Sequence, residues 1–288
     1  MDLGRLGIWS GQFRGRGDDP EAAEAAAELE ELGFRTLWIP GGAASDILVD
    51  VARVLDASSH LILATGILNV WAYEPDQVAT EHAQITAAHP GRFLLGLGVS
   101  HAPLVESMDR TYERPIAVME AFLDGLDAAP TPVPVAERAL AALGPRMLEL
   151  SRDRSAGAHP YLANPEHTAR CRQVLGAGPL LAPEQMVVVD DDLDRVRAVG
   201  RQHVGRYLRL PNYTNNLRRL GFGDADLADG GSDRLIDAIV VGGLDGIADR
   251  VAEHLAAGAD HVCLQVLAED PSAMPRAAWR ELAGLLPG

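Results

Sequence analysis

The chain has 288 residues, with 25 basic against 41 acidic side chains and a formal charge of −16 at pH 7. Every basic residue is arginine, and without lysine the chain cannot be a Schiff-base enzyme, a pyridoxal-phosphate enzyme or a standard P-loop nucleotidase. The negative charge argues against a nucleic-acid or anionic-membrane partner, although a local arginine site for an anionic cofactor stays open.

A chain of this length has room for two domains, but an α/β barrel reaches the same size as one, and residues 1–288 read as a single domain. Aromatics are 5% of the residues, so alanine, leucine and valine must fill the core. The two cysteines, Cys171 and Cys263, do not make a disulfide framework, and Cys263 lies in an apolar strand-like run. The opening residues lack the charged head and apolar stretch of a signal peptide, and no run of about 18 apolar residues occurs. The expectation is a soluble, cytoplasmic protein.

The first β-like run is Arg5 to Trp9. Asp18-Asp19-Pro20 caps a helix whose inner face is expected to be Ala23, Ala26, Ala27, Leu29 and Leu32, with Gly33 as its stop. A strand at Thr36 to Pro40, a helix at Ile47 to Ser58 and a strand at Leu61 to Thr65 follow. Next come a helix at Asp76 to Ala88, a strand at Phe93 to Gly98 and a helix at Pro115 to Ala128. The proline-rich connector 129–134 leads to two weaker strands, Ala139 to Leu143 and Ala156 to Pro160, with a helix opening at Gly144 between them. Gln185 to Val189 and Val262 to Leu267 complete eight strands. Continuous apolar runs suit strands covered on both faces, and their alternation with helices predicts a (β/α)8 TIM barrel. The segment Leu210 to Gly231 shows neither period and reads as a long loop.

In such a barrel the chemistry sits just after each strand. Those positions hold Trp9 and Ser10, Pro40-Gly41-Gly42, Gly66 to Trp71, Val99-Ser100-His101, Gly144-Pro145-Arg146 and His159-Pro160-Tyr161. Carboxylates are almost absent there, which disfavours a divalent metal or a paired-carboxylate hydrolase. Glycines, aromatics and exposed backbone suit a flat aromatic ligand instead. Glu81-His82 lacks the second histidine of a zinc motif, and Asp190 to Asp194 reads as a helix cap.

The stretches Ala64-Thr65-Gly66-Ile67-Leu68-Asn69-Val70-Trp71, Ala87 to Gly98, Leu143-Gly144-Pro145-Arg146-Met147 and Ala257 to Val262 resemble the bacterial luciferase-like superfamily. Within it they resemble the F420-dependent oxidoreductases. Ala158-His159-Pro160-Tyr161 and Leu210 to Leu217 resemble a short-chain subgroup of these. The resemblance implies a flavin or deazaflavin held at the carboxyl end of the barrel against a bulge after the third strand, often with a non-proline cis peptide, at Gly66-Ile67. It implies ring or tail contacts from Ser10, Asn69, Ser100, His101, Gly144, Arg146, Ala158 and His159. Trp9, Trp71 and Tyr161 would line the substrate side, and His101 would carry the proton. Relatives are often homodimers. The histidine that some relatives carry after the second strand is absent here, where Pro40-Gly41-Gly42 stands. Three readings follow: an F420-dependent oxidoreductase acting on a small organic substrate, an FMN-dependent monooxygenase, or a barrel without catalysis that serves as a binding subunit.

Overall fold

The computed structural model describes residues 1–16, 19–41 and 46–286. Its staves are β1 (Leu6–Trp9), β2 (Thr36–Ile39), β3 (Ile62–Thr65), β5 (Phe93–Gly98), β6 (Arg138–Leu140), β7 (Gly157–Ala158), β8 (Leu180–Leu181) running on into β9 (Glu184–Val188), and β11 (Val262–Val266). All pair in parallel, with Ile8 opposite Leu37 on one side of β1 and opposite Leu264 on the other. Pro183 has no N–H to give, so the ladder breaks between β8 and β9. The ring still closes through that segment. Ala182 and Glu184 donate N–H to the carbonyls of Ala158 and Pro160, and Cys263 donates to the carbonyl of Pro183 on the other side. The expected (β/α)8 barrel is therefore the observed one.

Two short strands lie outside the ring. β4 (Leu68–Asn69) pairs with the end of β5, and β10 (Val240–Gly242) pairs with the carboxyl half of β9. The helices between staves are α1 (Pro20–Glu31), α2 (Ile47–Asp56), α3 (Pro75–Ala88), α4 (Ala102–Glu106), α5 (Pro115–Ala128), α6 (Pro145–Arg154), α7 (Pro165–Leu175), α8 (Leu193–Tyr207), α9 (Pro211–Arg219), α10 (Asp224–Leu227), α11 (Asp233–Ile239), α12 (Leu244–Ala256) and α13 (Arg276–Leu282).

Capping chemistry sets several helix starts. The Asp19 carboxylate accepts from the Glu21 N–H with Pro20 in the first turn, while Asp18 lies outside the described residues. Gly33 ends that passage at φ +93°, a left-handed conformation that glycine adopts without a Cβ clash. The inner face of α1 is Ala22, Ala25, Ala26 and Leu29, one residue displaced from the expected register. Alanines at 22, 23, 25, 26 and 27 make the stripe ambiguous from sequence, and only contact with the neighbouring strands selects one. Asp192 caps α8 by accepting from the N–H groups of Asp194 and Arg195, as the acidic run suggested.

The segment expected to be a long loop is helical over α9 and α10. Its asparagines have weak helix propensity, but burial of Thr214 and Leu217 on one side of α9, followed by Leu220 and Phe222, supplies the energy that propensity lacks.

One buried cluster contains Trp9, Trp38, Ala64, Leu94, Ala139, Ala182 and Cys263. These come from around the whole ring, so they fill the barrel interior, with small residues making room for the two indoles. Outside the ring, the Arg138 guanidinium is fully buried and ion-paired to Asp127 at 2.7 Å, and its Nε donates to the Arg154 carbonyl. Asp127→Ala is expected to cost about 3 kcal/mol, because a buried cation loses the one acid paired with it among the described residues. Urea unfolding of the two proteins would show it, and equal midpoints would contradict it.

Candidate active site

The carboxyl ends of the staves open into a cavity of about 1170 Å³. Segments following β1, β2, β3, β5, β6, β7 and β11 reach it, because parallel staves bring all their outgoing loops to one end. Helices α8 and α9 cover one side through Val199, Gln202, His203, Arg206 and Tyr207 and through Asn212, Tyr213, Asn215 and Arg219.

Nine of the expected site residues line this space: Trp9, Gly66, Ile67, Ser100, His101, Gly144, Arg146, His159 and Tyr161. The Gly66–Ile67 peptide bond is cis, as the resemblance implied. Ile67 is packed so closely on Gly98 that a Cβ there would fall 2.6 Å from Ile67 Cδ1. Gly41 also lines the cavity, while Gly42 lies outside the described residues.

Four expected residues sit behind the lining. Ser10 is buried and its hydroxyl donates to Gln12 Oε1. Asn69 is buried too; its Oδ1 accepts from the Trp71 N–H, and its Nδ2 faces Met108 Sδ at 3.7 Å. Trp71 donates its indole N–H to the Val99 carbonyl. Ala158 is consumed by the β7 ladder. These four shape the wall from behind rather than face the space.

At the inner end two polar atoms are buried without partners, Trp9 Nε1 and His159 Nε2. His159 Nδ1 lies 2.7 Å from the Ala182 carbonyl, so it carries the proton and leaves a bare lone pair on Nε2. Burial pushes the imidazole down to about 4, which keeps it neutral. Trp38 stacks on it at 4.1 Å. A Cβ built on Gly66 would meet both bare atoms, at 2.7 Å and 3.1 Å. One donor and one acceptor thus converge where only a glycine fits.

A second polar group lies between Trp9 and α8. The Tyr161 hydroxyl is 2.9 Å from Tyr207 Oη, 3.1 Å from His203 Nε2 and 2.9 Å from Gln265 Oε1. Burial lowers His203 to about 4 and raises Tyr161 well above its ordinary value, so both are neutral. The loop-based sequence reading missed His203, Tyr207 and Gln265. A signal existed: Val199, Gln202, His203, Arg206 and Tyr207 recur at helical spacing on one face of α8. His101, at the rim, faces the Ser100 hydroxyl at 3.3 Å, and burial lowers its titration.

The cavity's charge is one-sided. Arg14, Arg146, Arg206 and Arg219 line it, and no aspartate or glutamate does among the described residues. Nor is there among them any group of three or more histidine, cysteine or acidic residues fit to hold a metal.

The model of the luciferase-like monooxygenase family matches residues 9–261. The chain belongs to that family. Similarity within it extends in two directions. A Mycobacterium tuberculosis protein provisionally named a coenzyme F420-dependent oxidoreductase is 28% identical over 126 residues, 43% of this chain. The match spans only about a third, 35%, of that relative's own length. Among solved structures, an F420-dependent secondary alcohol dehydrogenase in complex with an F420–acetone adduct superposes with a TM-score of 0.76, 14% identity and 99% coverage of each chain. The oxygenating constituent of 3,6-diketocamphane monooxygenase from Pseudomonas putida, in complex with FMN, gives 0.71 at 15% identity, covering 98% of this chain and 96% of that one. At these identities the structural likeness is one of fold. No helix among the described residues of this luciferase-like chain is long and apolar enough to cross a membrane.

Proposed function

We propose that this luciferase-like chain is an F420-dependent oxidoreductase that moves a hydride between the deazaflavin and a small organic substrate. The observation that carries this is the cavity lining: four arginines and no carboxylate among the described lining residues, and a donor–acceptor pair without hydrogen-bond partners over Gly66 at the inner end. The fit to the cofactor is chemical. A deazaflavin or flavin brings a planar ring whose edge offers neighbouring C=O and N–H groups, and a tail bearing negative charge. The Trp9 N–H and the His159 Nε2 lone pair complement the first, and the arginines complement the second. When bound, F420 supplies a two-electron hydride transfer.

The chain's own residues do the rest. Ile67, fixed against Gly98, presents an apolar face for the ring. Arg146, with Arg219 beside Gly144, holds the anionic tail. The accompanying proton belongs to His101, or to the group around Tyr161. The Tyr161 hydroxyl has one proton to give and three close partners, so rotation about its C–O bond re-aims that proton among Gln265 Oε1, Tyr207 and His203 without moving a heavy atom.

The name of the Mycobacterium relative favours F420, and the FMN complex among the fold neighbours motivates the flavin monooxygenase reading. Fluorescence titration separates them. Saturable F420 binding with at least tenfold weaker FMN binding is expected. The reverse order would replace F420 by FMN, and no binding of either would favour the barrel without catalysis.

A further inference from the structure

Tyr161, His203, Tyr207 and Gln265 all line the cavity and share one hydrogen-bonded group, whose protons are not equally bound. Tyr161 Oη lies 2.9 Å from Gln265 Oε1 and 3.1 Å from His203 Nε2. Gln265 Nε2, which can only donate, lies 3.4 Å from the same His203 nitrogen, so that nitrogen carries a lone pair and the ring's proton is on Nδ1. Tyr161 thus faces two atoms that can only accept, and its proton goes to one of them. Tyr207 Oη, 2.9 Å away, then has only Tyr161 Oη to donate to within the group. With the Gln265 amide turned over, its Nε2 donates to Tyr161, His203 Nε2 carries the proton that meets Oε1, and Tyr161 donates to Tyr207. In both arrangements the Tyr207 hydroxyl proton is the one that no atom of fixed acceptor character holds among the described residues.

The group is also uncharged. Burial lowers His203 to about 4 and raises both phenols. Glu184, whose Oε2 accepts from the N–H of Leu162 next to Tyr161, is pushed up to about 8 by burial and stays protonated at neutral pH. A protonated amine would meet no carboxylate among the described lining residues. The surroundings are aromatic. The Tyr213 ring stands 5.1 Å from Tyr207 and 6.1 Å from Tyr161, and the Tyr161 ring is 5.4 Å from Trp9. Trp9 Nε1 is one of the two bare atoms over Gly66, so the group borders the space assigned to the cofactor ring.

We propose that Tyr207, backed by Tyr161, His203 and Gln265, binds the oxygen of an uncharged substrate and sets the specificity of the site. The substrate class is then small ketones and the alcohols that differ from them by a hydride on carbon and a proton on oxygen. The Tyr207 O–H donates to a ketone oxygen and gives up at most one neutral hydrogen bond to do so. An alcohol instead donates its O–H to the lone pair that Tyr207 Oη keeps free in both arrangements. A rotatable hydroxyl therefore matches both members of the couple without moving a heavy atom, which a fixed donor or a fixed acceptor cannot do. This rests on the cofactor lodging at the Gly66 end, and it names the substrate class for that same site.

The test uses the full-length protein, isotopically labelled at tyrosine Cζ, with and without saturating F420, in NMR titrations. The probes are cyclohexanone, cyclohexanol, methylenecyclohexane, in which a CH2 group replaces the oxygen, and cyclohexanecarboxylate. The Tyr207 signal, identified by its absence from Tyr207→Phe, is expected to shift with the ketone and the alcohol. Tyr207→Phe should weaken both about fivefold, the loss of one neutral hydrogen bond. The same variant should leave methylenecyclohexane and F420 within about twofold, a pattern that a general loosening of the pocket would not give. Equal weakening of cyclohexanone and methylenecyclohexane would overturn the proposal, as would cyclohexanone binding unchanged in Tyr207→Phe or absent from the wild type with F420 bound. Tighter binding of cyclohexanecarboxylate than of cyclohexanone would overturn the uncharged class. Loss of F420 binding in Tyr207→Phe would give Tyr207 to the cofactor and overturn it too. If wild-type protein binds no F420 yet binds cyclohexanone through Tyr207, the oxygen site stands and the F420 reading falls.

Discussion

Acidification from pH 7 to pH 4 is expected to unfold the protein. Six histidines are held neutral by burial: His82, His159, His167, His203 and His261 are pushed down to about 4, and His254 to about 3. Between those values and the ordinary 6.5, the unfolded chain binds protons that the folded chain refuses. Stability therefore falls as pH drops through that window. Each tenfold loss of proton affinity on folding is worth about 1.4 kcal/mol per group. Even a third of the sum over six groups is comparable to the roughly 5–15 kcal/mol that holds a typical domain folded. Among the described residues only His82 of the six has a carboxylate within ion-pair distance, Glu137 at 3.4 Å, so the others have no such acid there to receive the new charge. Glu184 acts oppositely. Burial raises it to about 8, so the folded chain keeps a proton that the unfolded one releases above about 4.5, and stability declines as pH rises through that range. One group opposes six, which places the optimum between pH 6.5 and 8. Melting followed by circular dichroism across pH 4–9 checks this. A Tm unchanged between pH 7 and pH 4 would contradict it, and Glu184→Gln should remove only the alkaline slope.

Gly66→Ala is expected to weaken cofactor binding by more than about a hundredfold, roughly 2.7 kcal/mol. The added methyl would stand 2.7 Å from Trp9 Nε1 and 3.1 Å from His159 Nε2. His159 cannot retreat, because Trp38 stacks on it and its Nδ1 is tied to the Ala182 carbonyl. Trp9 must give way, and it lines the cavity, so its indole moves into the space proposed for the ring. Fluorescence titration with F420 reads the effect directly, and an affinity within threefold of wild type would remove Gly66 from the ring site.

The staves were legible because burial on both faces writes itself as unbroken apolar runs, as at Phe93 to Gly98, which the structure reproduces residue for residue. Strands of two or three residues, such as β4, β8 and β10, carry no such run and exist only because a neighbouring stave offers its ladder. The α1 register slipped by one residue because successive alanines look alike on every face, and α9 was hidden because its asparagines disguise a packed helix. Around the cavity, many of the lining residues on loops after strands were legible, since barrel topology fixes that address from sequence alone. His203, Tyr207 and Gln265 were not, because α8 and the end of β11 reach the cavity through packing that no local pattern records.

The sequence by itself determined the barrel, the family and the glycine-bearing bulge at Gly66, all of which follow from local periodicity, backbone requirements and the order of short motifs. Tertiary structure alone decided which side chains face the cavity, that Asn69 sits behind its wall, and that its arginines line it with no acid among the described residues. Those facts depend on distances between residues far apart in the chain. Charge pairing and burial are settled there, when the ring closes and the helices fold back upon it.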